Sequence, residues 1–141
     1  MTIIAWIALV ATGLFAGAAL YVSLVEHPAR LAAGGETALA QWRPSYKRAT
    51  RMQATLAVVG AAAALLDGVF GTGGGISIVS GLLLASVIPF TLLVVFPVNR
   101  QLEEPRRLGS DPGTLTLLQD WGRLHWARTG LGLAAFLLLT F

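Results

Sequence analysis

Residues 2–25 read TIIAWIALVATGLFAGAALYVSLV, with no charge anywhere in the run. Crossing the hydrocarbon core of a bilayer takes about 20 apolar residues in a helix. The stretch is therefore long enough to be a membrane span, placed at about residues 3–25. A cleaved signal is the competing reading, because Ala16-Gly17-Ala18 resembles a cleavage site. No basic residue precedes the apolar run, however, and the run continues past that point. Three more apolar runs follow, at about residues 52–70, 76–98 and 121–140. The pattern predicts an all-α protein, an integral membrane four-helix bundle forming one domain over residues 1–141.

Composition supports this class. Charged residues make up 12% of the 141-residue chain and hydrophobic residues 55%, whereas soluble domains are about a quarter charged. Mean hydropathy is +0.72 and the formal net charge is +3. The basic residues flank apolar runs, which makes them topology signals and anionic-lipid contacts rather than a nucleic-acid surface. With no cysteine, disulfides and thiolate chemistry are excluded.

The connections set the expected boundaries. Pro28 biases His27 away from helical geometry, so the first helix is expected to end there. Pro44 suits the first turn of a second helix starting near Arg43. Phe70 to Gly75 reads F-G-T-G-G-G. Without a following Lys-Ser/Thr it is a turn between helices, not a phosphate loop. Asp111-Pro112 is expected to cap the fourth helix. Lys and Arg occupy the first and third connections, so the positive-inside rule places those in the cytoplasm and both termini outside, as in a bacterial-type inner membrane. No repeat of fixed period is visible.

At about 100° per residue, polar groups fall on the same stripes as small residues. The stripes are Gly13, Gly17, Leu20, Leu24 and His27; Tyr46, Gln53, Gly60, Ala63 and Asp67; Gly81, Ala85, Ile88, Leu92, Val95 and Asn99; and Trp121, His125, Arg128, Gly132 and Ala135. Small residues mark contacts between membrane helices, so His27 and His125 are expected in one pocket at the cytoplasmic end. Asp67 is read as a helix-end residue near the outer loop. Trp126, off its stripe, reads as part of the interfacial aromatic belt. Arg128 also has a plainer reading, as a snorkelling anchor.

The motifs are Glu26-His27-Pro28, Trp42-x-Pro44-x-Tyr46, Pro97-x-Asn99 and Trp121-x-x-x-His125-x-x-Arg128. With the four-span plan they resemble the anthrone-oxygenase-like family of small membrane proteins, known largely as a domain of unknown function. The resemblance covers nearly the whole chain. It implies a membrane-embedded oxygenase or oxidoreductase acting on a small apolar aromatic, anthrone- or quinone-like substrate. Members in fungal polyketide pathways are linked to oxidation of an anthrone to an anthraquinone with molecular oxygen.

The residues suit such chemistry. A neutral His is a base near working pH. His125 is the first choice, with His27 the second imidazole. Arg128 and Asn99 would stabilise a developing oxyanion, and Trp42, Tyr46 and Trp121 would wall a flat substrate arriving from the lipid. The protein either needs no cofactor or holds a transition metal through His27, His125 and Glu26, a thin ligand set. Partners are membrane lipid and a lipophilic small molecule, with no nucleic acid; a homo-oligomer remains open. Two other functions compete: a binding or transport module for a small ligand, and a structural subunit whose polar stripe is only a packing network.

Overall fold

A computed structural model describes residues 1–141 as four helices joined by short turns and one longer connection. They are α1 (Ile3–Ala32), α2 (Gly35–Phe70), α3 (Gly74–Glu103) and α4 (Thr114–Leu138). The first three are long and apolar enough to cross a membrane, by length and composition. α4 carries Asp120, Arg123 and Arg128, but Arg128 is directed into the bundle. Each of α1 and α3 packs beside α2 and α4, so α1 and α3 occupy opposite corners. The outer surface is apolar, with Trp6, Val10, Leu14, Leu82 and Leu93 exposed. That is the face that suits lipid.

Neither of the early prolines ends a helix. α1 continues through Pro28 to Ala32 because a π turn, Val22–Glu26, precedes it. The His27 N–H reaches the Val22 carbonyl, five residues back. Proline has no N–H to contribute, and the wider turn takes up the mismatch. α3 uses the same device, with π turn Thr91–Val95 ahead of Pro97. α2 starts at Gly35, well before the expected Arg43, and carries Pro44 inside it. Asp111 does not cap α4: its carboxylate accepts the Leu108 N–H at 2.7 Å. Gly113, at φ +85°, holds the N-cap position.

The glycine-rich end is closed around Asp67, which is buried and accepts the hydroxyls of Thr2 and Ser77, each at 3.0 Å. It thus ties the starts of α1 and α3 to the end of α2, as a helix-end residue. At the basic end the turn between α1 and α2 packs on the long connection. A Cβ at Gly35 would stand 2.4 Å from the Gly109 carbonyl oxygen. Arg43 secures this end by donating to the carbonyls of Leu102, near the end of α3, and of Glu104 and Arg107 in the connection.

Between these ends the helices meet through small residues. Positions Gly60, Gly81 and Gly132 have no room for a Cβ against Leu84, Leu65 and Phe15. On the Gly13–Gly17 face only Gly13 makes such an approach, its Cβ position standing 2.9 Å from Phe136 Cε2. Gly17 is exposed with nothing near its Cβ position, and Leu24 is exposed too. The interior face of α1 is Ala8, Thr12, Phe15 and Ala19.

Candidate functional site

The polar interior lies at the basic end, where each helix supplies part of it. α4 contributes Trp121, His125, Arg128 and Thr129, all buried. Their spacing of three and four residues places them on one face. α2 contributes Trp42, Tyr46 and Gln53; α1 contributes Ser23, His27 and Arg30; α3 contributes Asn99.

Both histidines turn inward at the same end and pack on the Trp121 indole. Each imidazole centroid is 4.9 Å from that of Trp121. Of the two, His125 lines the central chamber and His27 does not.

The hydrogen bonds define what each imidazole can do. His27 Nε2 lies 2.7 Å from the Leu118 carbonyl oxygen. A carbonyl only accepts, so Nε2 carries the proton. His27 Nδ1 then accepts from Arg30 Nη1 at 2.9 Å. Both nitrogens are committed, which leaves His27 no lone pair for a substrate proton or a metal. Glu26 is engaged through one oxygen, its Oε1 accepting from Arg30 Nη2 at 2.6 Å, Gln41 Nε2 at 2.9 Å and Ser45 Oγ at 2.7 Å. Glu26, His27 and His125 do not come together as a ligand trio.

His125 is differently placed. Its Nδ1 is 2.9 Å from Ser23 Oγ, which is 2.8 Å from Thr129 Oγ1. Thr129 also lies 3.1 Å from the carbonyl oxygens of Ala19 and His125. With the single Thr129 proton directed at these carbonyls, Ser23 donates to Thr129 and His125 Nδ1–H donates to Ser23. That leaves the Nε2 lone pair free. The hydroxyl pair therefore selects the tautomer a general base requires.

Arg128 donates from Nη2 to Gln53 Oε1 at 3.0 Å, and its Nε finds no acceptor. No carboxylate pairs with it; the ion pairs of the chain are Arg30–Glu26 and Arg123–Asp120. Trp42 Nε1 is a second buried donor without a partner. Asn99 joins two helices, accepting from Trp121 Nε1 at 2.9 Å and donating to the Tyr46 hydroxyl at 3.1 Å. It does not line the chamber, so it positions Trp121 and Tyr46 and does not serve as an oxyanion donor.

The aromatic residues pack on one another instead of walling an open slot. Trp42 and Tyr46 stack at 4.7 Å and 3°, and Trp42 meets Trp121 edge-on at 5.8 Å. The chamber they enclose with Gln53, His125 and Arg128 is about 20 Å³. That is room for a water or a diatomic, not for a fused aromatic. A groove of about 520 Å³ adjoins it, lined by Gln41, Pro44, Ser45, Arg48, Ala49 and Met52. Ser45 and Ala49 line both spaces.

Sequence reasoning overlooked Arg30, Ser23 and Thr129 as site residues. Arg30 had a signal, since it follows Glu26 and His27 by four and three residues, the reach of one helical turn. A second signal was the recurrence of Trp42, Tyr46 and Thr50 on α2 as Trp121, His125 and Thr129 on α4, at identical spacing. The two aromatic stacks face each other across the bundle.

The sequence model described as Anthrone oxygenase matches residues 42–138, from the Trp42 stack to the end of α4. The chain belongs to the Anthrone oxygenase family. It is an oxygenase-like membrane protein of that family, and the match includes Trp42, Tyr46, Asn99, Trp121, His125 and Arg128. Glu26, His27 and Arg30 lie outside the matched segment. No curated protein and no solved structure matches the chain.

Proposed function

We propose that this family member is a membrane-embedded oxygenase that converts an activated methylene of an anthrone-like aromatic to a carbonyl, with His125 as the base. One observation carries the reading: a buried imidazole with a free Nε2 lone pair stands beside a buried guanidinium that has no carboxylate partner. Such a methylene, flanked by aromatic rings, loses a proton to give a delocalised anion. Nε2 takes the proton, and the unpaired Arg128 favours the negative charge that develops. The anion gives its electrons to dioxygen and forms a carbon-bound peroxide. Loss of water leaves the carbonyl, so one oxygen atom enters the product and the other leaves as water.

The groove beside the chamber receives the aromatic body, with the reacting carbon at the Ser45–Ala49 wall. The volumes support this arrangement, since the groove of about 520 Å³ is of ligand size and the chamber is not. The positive-inside distribution of charge supports a site at the cytoplasmic face of the membrane.

The test is oxygen uptake by purified protein with a model anthrone. His125→Gln is expected to lower turnover by about 10²–10⁴-fold, the typical contribution of a positioned base. Equal turnover by wild type and His125→Gln would refute the assignment. Flux of unchanged ligand across proteoliposomes, with no oxygen uptake, would favour a transport module instead.

A further inference from the structure

We infer that the chamber beside Arg128 is a binding site for a small monovalent anion of two or three heavy atoms. Three observations converge on it. Arg128 is nine-tenths buried, carries a full charge and has only the neutral Gln53 as side-chain partner. A buried charge without a counter-charge is costly, no carboxylate forms an ion pair with Arg128, and Glu26 is already engaged by Arg30, Gln41 and Ser45.

The second observation is the pair of orphan donors. Arg128 Nε and Trp42 Nε1 are buried without an acceptor, and both residues line the same chamber. Unmet buried donors are uncommon and call for an explanation. Tyr46 can add a third donor, because its oxygen accepts from Asn99 and its proton can turn either to Thr50 or into the chamber. The third observation is size. A space of about 20 Å³ suits a halide or a diatomic or linear triatomic ion better than a tetrahedral oxyanion such as sulfate.

The site has a natural occupant if the oxygenase reading holds, and this part rests on that reading. One electron passing from the substrate carbanion to dioxygen leaves a carbon radical and superoxide, a diatomic anion. Arg128, Trp42 and Tyr46 would hold superoxide beside the radical until the two combine. His125, carrying the proton it has taken, would then add a further N–H donor. The anion site itself does not depend on this chemistry.

The test uses the full chain in detergent, with sodium azide and sodium bromide as probes and sodium sulfate as control at matched ionic strength. Wild type is expected to show a saturable rise in melting temperature with azide or bromide and none with sulfate. Trp42→Phe removes one donor at nearly constant shape and is expected to raise the half-saturating azide concentration about tenfold, the effect of losing one hydrogen bond to a charged ligand. Arg128→Met is expected to melt no lower than wild type without azide and to gain nothing from it. The inference is overturned if wild type shows no saturable response, if sulfate acts like azide, or if Trp42→Phe and Arg128→Met respond as wild type does. Anthrone-dependent oxygen uptake without an azide response would overturn the anion site and leave the oxygenase reading standing. An azide response without oxygen uptake would do the reverse.

Discussion

The ring of His27 lies against α4 because position 122 has no side chain. A Cβ there would come within 2.6 Å of His27 Cδ2 and 2.8 Å of Nε2. Gly122 thus permits the His27–Leu118 hydrogen bond and, through His27, the seat of Arg30. Gly122→Ala is expected to cost about 1–3 kcal/mol, as overpacking of a close-packed interior does. Thermal melting in detergent checks this; an unchanged melting temperature would show that the close approach contributes nothing. His125 is held by different atoms, the hydroxyls of Ser23 and Thr129. The two imidazoles therefore divide the work: His27 binds α1 to α4, and His125 keeps Nε2 without a partner. Their shared residue type and depth were legible in the chain. The division was not, because it depends on a carbonyl on α4 and a serine on α1 far apart in sequence.

On the scale of an element, the π turn in α1 decides which side chain reaches the interior. Ala8, Thr12, Phe15 and Ala19 define the buried face. Continued at about 100° per residue, that face would arrive at Glu26. The extra residue of the π turn advances the helix so that His27 takes the place instead, with Arg30 a turn beyond. Deleting Val25, which is exposed, together with Pro28→Ala, which removes the need for the wider turn, would restore a regular helix with His27 still inward. That double change is expected to preserve the fold. Inserting an alanine after Val25 would rotate His27 and Arg30 out of the bundle. Its expected cost is about 3–5 kcal/mol, the scale of breaking a buried charged network. Melting of the two variants separates these outcomes, and equal losses would contradict the phase argument. The device also explains the stripes. On α2 and α4, which have no π turn, Gln53, Gly60, Ala63 and Asp67 and all of Trp121, His125, Arg128, Gly132 and Ala135 are buried as regular periodicity predicts. On α1 and α3 the predicted stripes run outward in their middles, at Gly17 and Leu24 and at Ile88 and Leu92.

For the whole molecule, the two ends are built from opposite materials. One closes on a buried carboxylate and a run of glycines, the other on Arg43, which donates to three backbone carbonyls. The charge asymmetry underlies the proposed orientation, with the basic end cytoplasmic. The chain has no cysteine, so single cysteines report position without background. A membrane-impermeant maleimide is expected to label Thr72→Cys in intact spheroplasts, and Ser110→Cys only after lysis. The reverse pattern would invert the orientation and place the chamber at the outer face.

Class and family were written in local properties of the chain. Uncharged runs of bilayer length make helices that belong in lipid, and Trp121, His125 and Arg128 share a face because α-helical spacing alone requires it. Tertiary structure decided which imidazole keeps a lone pair, which carboxylate is already engaged, and how small the enclosed space is. Those outcomes depend on where hydrogen-bond partners from other helices arrive and on one extra residue in a turn. A periodic reading of a single helix contains neither.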